Sequence, residues 1–319
     1  MSEASHVGEI VACPTNPYQY GVPFNFSDPQ WYIVLMQPTG SLAATAQGIV
    51  LQTPETQREI FEFVFEDTLL ALSFVTNIAL AGLTILFIVA MARGVTDPRA
   101  KLIVVSTLLI SVVSISSYTG LVSGLTLRFI EMPAGHPLAG EQVLTMWGRY
   151  LTWAFSTPFI LLVLGLIAGS NLTKITTTVA MTIAMCVTGL AAALTTSSLL
   201  VRWWWFVLSS SFFLVIVYVI IVDWTREAER TGTSDLFTKL KILTVVGWFG
   251  YPILWALGVE GFALLEVWMT SWGYSLLDVV TKYIVTVLIV MYVVEEPETI
   301  TADADYGSTL KGVGAPADD

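Results

Sequence analysis

The chain has 319 residues, of which 55% are hydrophobic and only 12% charged, with a formal net charge of −11. Soluble domains carry about 25% charged residues, so the composition excludes one and implies an integral membrane protein, with a mean hydropathy of +0.74. The excess acid resides in loops and tails; an acidic exterior suits a protein working in concentrated salt, although chance also produces it.

Residues 1–66 show no basic region followed by a compact apolar core and a small-residue cleavage site, so they do not read as a signal peptide. Trp31–Met36 is apolar but is cut off by Gln37 and Pro38, too short to span a bilayer. The segment is expected to be an extracellular cap or a flexible extension. Seven stretches then run nearly free of charge: Thr68–Ala92, Leu102–Leu127, Tyr150–Thr173, Ile175–Val201, Trp203–Val222, Ile242–Val259 and Val267–Val294. Each approaches or exceeds the roughly 20 residues a spanning helix needs. Lys241 can snorkel at the end of the sixth, the shortest. The expected fold is an all-α membrane protein, a seven-transmembrane-helix bundle over 67–294, followed by an acidic tail, 295–319, expected to be disordered.

Arg93, Arg99 and Lys101 follow the first span, Lys174 the third, and Arg226, Arg230, Lys239 and Lys241 the fifth. The other side carries Arg58, Arg128 and Arg202. Positive-inside bias therefore puts the N-terminus outside and the C-terminus in the cytoplasm of a multi-pass protein of the cell membrane. Cys13 lies in the outer tail and Cys186 deep in the fourth span, so no disulfide is implied.

On the third span, Arg149, Thr152, Ser156 and Val163 share one helical face, reading cation, hydroxyl, hydroxyl, hydrocarbon. Hydroxyls of this kind commonly bond back to their own helix. Gly189 in the fourth span leaves room for a ring. The fifth opens with Trp203, Trp204, Trp205 and Phe206, a cluster that also suits a membrane interface. Trp248, Tyr251, Pro252 and Trp255 form an aromatic wall beside a proline kink on the sixth, and Trp248 and Trp255 are too far apart to occupy one interface.

The seventh span holds two charges, Asp278 and Lys282, four residues apart and so on one face. A lysine near the middle of a membrane helix costs roughly 2.5–3.5 kcal/mol even on the lenient insertion scale. Such a lysine can pair with the aspartate, relay protons, or form a Schiff base with a carbonyl compound; a purely structural ion pair is the bland alternative. An aromatic slot beside it suits a long, flat, conjugated aldehyde. If Lys282 carries a protonated Schiff base, ionised Arg149 and Asp278 leave one positive charge uncompensated. A bound anion near Thr152 and Ser156 is the simplest remedy.

Together these residues resemble the microbial rhodopsins, and among them the archaeal halorhodopsins, over Glu66 to Val294. The resemblance rests on Asp278 and Lys282, on Arg-Tyr-Leu-Thr-Trp-Ala-x-Ser-Thr-Pro at Arg149–Pro158, on Trp-x-x-Tyr-Pro-x-x-Trp at Trp248–Trp255, and on Glu-Met-Pro-Ala-Gly-His at 131–136. It implies all-trans retinal on Lys282, isomerised by light to 13-cis, in a light-driven ion transporter, not an enzyme, that carries chloride or another halide inward. By the same resemblance Trp153, Met185, Gly189, Trp248, Tyr251 and Trp255 line the retinal pocket. Arg149, Thr152 and Ser156 form the anion site, with Thr152 standing where proton pumps have their acceptor carboxylate. Tyr118 and Tyr251 bond the counterion Asp278, and Lys241 and Thr244 lie where the anion is released. Val163 occupies the place of a proton-donor carboxylate, where halorhodopsins usually have a smaller apolar residue. Lipid surrounds the bundle, a homotrimer is expected although no residue points to it, and no nucleic-acid partner is expected. A photosensor signalling to a membrane transducer, an outward proton pump and a light-independent channel are the rival readings; the first two usually carry a carboxylate on the third span.

Overall fold

The computed structural model describes residues 56–295. The readings made for Cys13, Trp31–Met36 and the acidic tail lie outside them. A short helix, α1 (Gln57–Glu66), comes first. It begins at a capping box in which the Thr56 hydroxyl accepts from Glu59 N at 3.3 Å and Glu59 Oε2 accepts from Thr56 N at 3.1 Å. Seven helices long and apolar enough to cross a membrane follow: α2 (Thr68–Met91), α3 (Pro98–Val122), α4 (Gly148–Ile167), α5 (Leu172–Leu194), α6 (Leu199–Thr231), α7 (Ser234–Leu257) and α8 (Val267–Glu295). The chain is a multi-pass membrane protein.

Among the described residues the all-α expectation has one local exception. The loop between α3 and α4 folds into an antiparallel hairpin of β1 (Arg128–Glu131) and β2 (Gln142–Thr145). Its tip contains Pro133, Gly135, His136 and Pro137, turn residues that a helix does not tolerate in series.

Span boundaries read from charges shift where capping decides them. The second helix starts at Pro98 rather than Leu102, because Asp97 accepts from Arg99 N and Ala100 N, both at 2.9 Å. It stops at Val122, five residues earlier than expected. The third and fourth helices end at Ile167 and Leu194 instead of Thr173 and Val201, and Asn171 caps the fourth. The sixth begins at Ser234, eight residues before Ile242, so Asp235, Lys239 and Lys241 are helical. Arg202, expected in a loop, lies inside α6 and is completely buried. Charge runs locate the apolar core of a span but not the turns that project beyond it.

Neighbouring helices pack in the order α2, α3, α4, α5, α6, with α8 closing against α2, α3 and α7. Phe213 against Phe249 and Trp203 against Trp255 join α6 to α7. Leu83, Leu86, Leu200 and Val246 are among the apolar side chains left exposed on the outside, as a lipid-facing surface requires. Two helices depart from α geometry, at π-turns Val219–Trp224 in α6 and Val279–Ile284 in α8, and the second holds Lys282.

Candidate functional site

Lys282 and Asp278 are each 1% exposed, and Lys282 Nζ donates to Asp278 Oδ2 at 2.8 Å. Two other helices deliver tyrosines to the same carboxylate. Tyr118 on α3 donates to Oδ2 at 2.8 Å, and Tyr251 on α7 donates to Oδ1 at 2.6 Å while lying 3.0 Å from the Thr281 hydroxyl. Asp278 thus accepts three hydrogen bonds, which hold its carboxylate in one place. Wide turns of the kind that carries Lys282 are frequent at functional sites.

Arg149 lies one layer away and is 3% exposed. Its guanidinium donates to Ser271 Oγ at 2.7 Å and to Tyr118 Oη at 3.3 Å. Ser271 Oγ in turn lies 2.6 Å from Ser73 Oγ, tying α8 to α2. The guanidinium carbon sits 5.1 Å from the centre of the Tyr274 ring and 5.6 Å from those of Phe74 and Tyr118. Among the described residues no carboxylate forms an ion pair with Arg149. Thr152, a turn further along α4, donates to Gly148 O at 3.0 Å and contacts the Ser117 hydroxyl. Ser156 is completely buried, and its hydroxyl finds no partner in the protein. The site therefore contains two cations, one heavily engaged anion and an uncommitted donor.

A cavity opens at Lys282 and runs between α4, α5, α6 and α7. All seven residues expected to surround a chromophore line it: Lys282, Trp153, Met185, Gly189, Trp248, Tyr251 and Trp255. Trp153 sits edge-on to Tyr251 at 5.2 Å, and Trp255 stacks on Phe206 at 4.5 Å, so the walls brace one another. A Cβ on Gly189 would come within 3.3 Å of Ser209 Oγ and 3.5 Å of Tyr150 Cε1, so glycine keeps that wall open. Cys186, Phe206 and Phe213 also line the cavity. Phe206 belongs to the Trp203–Phe206 cluster noted in the sequence, but nothing there placed Cys186 or Phe213 at a cavity, because a lone cysteine or phenylalanine in an apolar helix carries no signal of what it faces.

The remaining predicted residues lie apart from this layer. Val163 is completely buried among the hydrocarbon side chains of the cluster that includes Leu164, Ile167 and Val290. Thr244 on α7 is completely buried with an unpartnered hydroxyl. Lys241 donates to Thr225 Oγ1 at 3.0 Å, which anchors it to α6.

A second polar cluster was missed. Arg202 donates from Nε to Glu260 O at 2.8 Å and from one terminal nitrogen to Ala193 O and Thr195 O, both at 2.9 Å. Tyr150 donates to Glu260 Oε2 at 2.8 Å, and a narrow pocket bordered by Glu260 and Tyr150 reaches Arg149. Burial pushes the Glu260 carboxyl above its ordinary range, with Arg202 and the Tyr150 hydrogen bond opposing the shift. Burial pushes His136 in the hairpin down, and nearby Arg202 adds to this. The only sequence signal for the cluster was Arg202 itself, next to three tryptophans.

A model of bacteriorhodopsin-like proteins matches residues 68–296. The halorhodopsin of Natronomonas pharaonis is 57% identical over 288 residues, covering 86% of this chain and 97% of its own. That of Halorubrum sodomense is 59% identical over 285 residues, covering 89% and 100%. A solved halorhodopsin, described as a light-driven chloride pump, superposes with a TM-score of 0.73 at 52% identity, over 74% of this chain and 100% of that one. On the family match and these identities, which agree with the lysine, arginine and aromatic layers described above, the chain belongs to the bacteriorhodopsin-like family.

Proposed function

We propose that the protein is a light-driven pump that moves chloride, and other halides, inward across the cell membrane. The observation that carries this reading is the charge balance of the buried layer. Lys282 and Arg149 are both cations there, while among the described residues Asp278 is the one carboxylate bonded to either. A buried unpaired charge costs several kcal/mol, and a halide between Arg149, Thr152 and Ser156 removes it. The Ser156 hydroxyl supports this, being a completely buried donor with nothing in the protein to donate to.

Family membership implies a retinal chromophore, and the cavity fits one: its walls are flat and aromatic, and its one amine is Lys282 Nζ. Lys282, Trp153, Met185, Gly189, Trp248, Tyr251 and Trp255 would hold it, as the all-trans isomer at rest. Bound there, retinal supplies the absorption of light and a change of shape at Lys282. Asp278, fixed by Tyr118 and Tyr251, serves as the counterion. Arg149 draws the halide in from the outer side. A halide that passes from Thr152 toward Thr244 would stay beside the positive charge at Lys282, which keeps opposite charges together in a medium of low dielectric. Thr244 and Lys241 then form the exit. With threonine at 152 and valine at 163, neither position offers a carboxylate to take or return the Lys282 proton, which disfavours an outward proton pump.

In this reading the N-terminus lies outside and the C-terminus in the cytoplasm, residues 1–66 precede the bundle as an extracellular extension or cap, and residues 295–319 form a cytoplasmic tail. Lipid covers the exposed apolar faces, and the assembly is a homotrimer. Illuminating cells that hold the retinal-loaded protein in chloride medium tests the reading. External pH should rise, and rise further with a protonophore, as protons follow the imported anion. A fall in pH abolished by protonophore would mean direct proton export; no change in either condition would favour a sensor.

A further inference from the structure

A helix outside the spans carries an apolar side that nothing among the described residues covers. This helix, α1, joins the ends of two spans. Asp67, which closes it, also caps α2 by accepting from Leu70 N at 3.0 Å. At its other end Gln57 Nε2 lies 3.5 Å from Ser123 O, just past the end of α3. Its backbone rests on the next residue, Gly124, where a Cβ would come within 3.0 Å of Phe61 N and 3.2 Å of Gln57 O. Because α2 and α3 are neighbours, α1 lies across the bundle at its Arg149 end instead of projecting from it.

The sequence sorts the residues of α1 by side. At about 3.6 residues per turn, Ile60 and Val64 lie on one line, and both are buried. Phe63 flanks that line on one side and packs edge-on against Phe129 of the hairpin at 5.2 Å. Phe61 and Phe65 flank it on the other, their ring centres 4.7 Å apart, and remain 42% and 50% exposed. Arg58, Glu59, Glu62 and Glu66 occupy the side away from the core. With the hairpin beside Phe63, the pair Phe61 and Phe65 points to the periphery of the bundle. There it continues the exposed stripe of Leu69, Leu72, Val75, Leu83 and Leu86 along α2, the surface that faces lipid. Trp272 sets the depth. Its indole N–H, near the start of α8, donates to Leu69 O at 2.9 Å, and tryptophans at span ends mark the membrane–water boundary.

We propose that α1 is an interfacial helix, with Phe61 and Phe65 set among lipid chains at the edge of the leaflet on the Arg149 side. Three glutamates against one arginine give the helix no attraction for anionic headgroups, so hydrocarbon carries the contact. Through Phe63 and Phe129 the helix also fastens the hairpin to the membrane surface. Leu144 of that hairpin borders the narrow pocket reaching Arg149, so the cover of the pocket is moored to lipid. The inference holds whichever ion the protein moves.

Nitroxide labels on single cysteines test it, in the full-length retinal-loaded protein in phosphatidylcholine vesicles, with Cys13→Ser as background and Cys186 buried. Oxygen concentrates in hydrocarbon, whereas a nickel chelate stays in water. The ratio of oxygen to nickel collisions for Phe61→Cys and Phe65→Cys should exceed that for Glu62→Cys and Glu66→Cys by about fivefold. Equal ratios would put the pair in water and overturn the proposal. Shielding from both reagents would overturn it too, because a second copy or another part of the chain would then cover the pair. If neither phenylalanine variant binds retinal, the unmodified protein decides, in vesicles doped with a lipid that carries a diazirine in its chain. Photoadducts within Gln57–Glu66 support the interfacial helix, and adducts confined to the spans overturn it.

Discussion

The two halves of the bundle interior are built from opposite materials. Toward Arg149, buried polar groups are linked across helices: Asp278 to Tyr118, Tyr251 and Lys282, Arg149 to Ser271 and on to Ser73, Glu260 to Tyr150. Toward Lys241, the interior is hydrocarbon, with Ile103, Val163, Leu164, Phe237, Leu240, Val290 and Val293 in one cluster and the few hydroxyls isolated within it. A connected network can hold an ion at rest, because donors are already aimed and cost nothing to reorganise. A hydrocarbon plug excludes water and ions, and so makes the dark protein a closed gate. A pump needs both, and here they meet at Lys282.

The comparison can be broken most severely at Thr152. Thr152→Asp puts a carboxylate where the halide is held, so chloride affinity should fall by more than about 100-fold and light should drive protons outward. The measurement is protonophore-sensitive external pH; an unchanged chloride pump would undo the charge argument. Val163→Asp makes the opposite intrusion, a carboxyl in the hydrocarbon half. It should lower stability by roughly 1–3 kcal/mol, seen as earlier thermal loss of the visible band, without creating an anion site. Equal stability would mean that water already reaches this half. Ser156→Ala removes one donor from the networked half. Dark chloride affinity should weaken about 10- to 100-fold with the visible band retained, whereas unaltered affinity would place the halide elsewhere.

The smallest effect concerns Glu260. Burial raises its carboxyl above the ordinary range in the folded protein. The protonated form is therefore the one that folding favours. The stability it contributes is present in acid and is lost as pH rises through that raised value. Glu260→Gln should flatten the decline in thermal stability just above the usual carboxylate range. A decline of the same slope in the variant would assign it to another group.

What the sequence disclosed followed from distance along the chain. Asp278 and Lys282, the Arg149–Ser156 face and the Trp248–Trp255 wall each lie within one helix, where spacing alone fixes which side chains meet. The closing charge argument could be made from the sequence because buried charges are few. Contacts between distant segments were silent: nothing marks Ser73 as the partner of Ser271, or Glu260 as that of Tyr150 and Arg202. Arg202 misled because charge was used to end spans, whereas its guanidinium caps backbone carbonyls inside the protein. The hairpin at 128–145 was missed for a related reason: its two strands are four residues each, too short for an alternating pattern to stand out.

The wide turn at Val279–Ile284 separates what the fold tolerates from what the chemistry tolerates. A π-turn is an α-helix that has accepted one additional residue. Deleting Val280 would let α8 relax to regular geometry, with Thr270–Ser275 and Val285–Val293 still seated against their neighbours. It would also bring Lys282 one position closer to Asp278 and re-aim its amine. The seventh span is thus a place where a lineage could shed a residue, keep its membrane fold, and lose its response to light in one step.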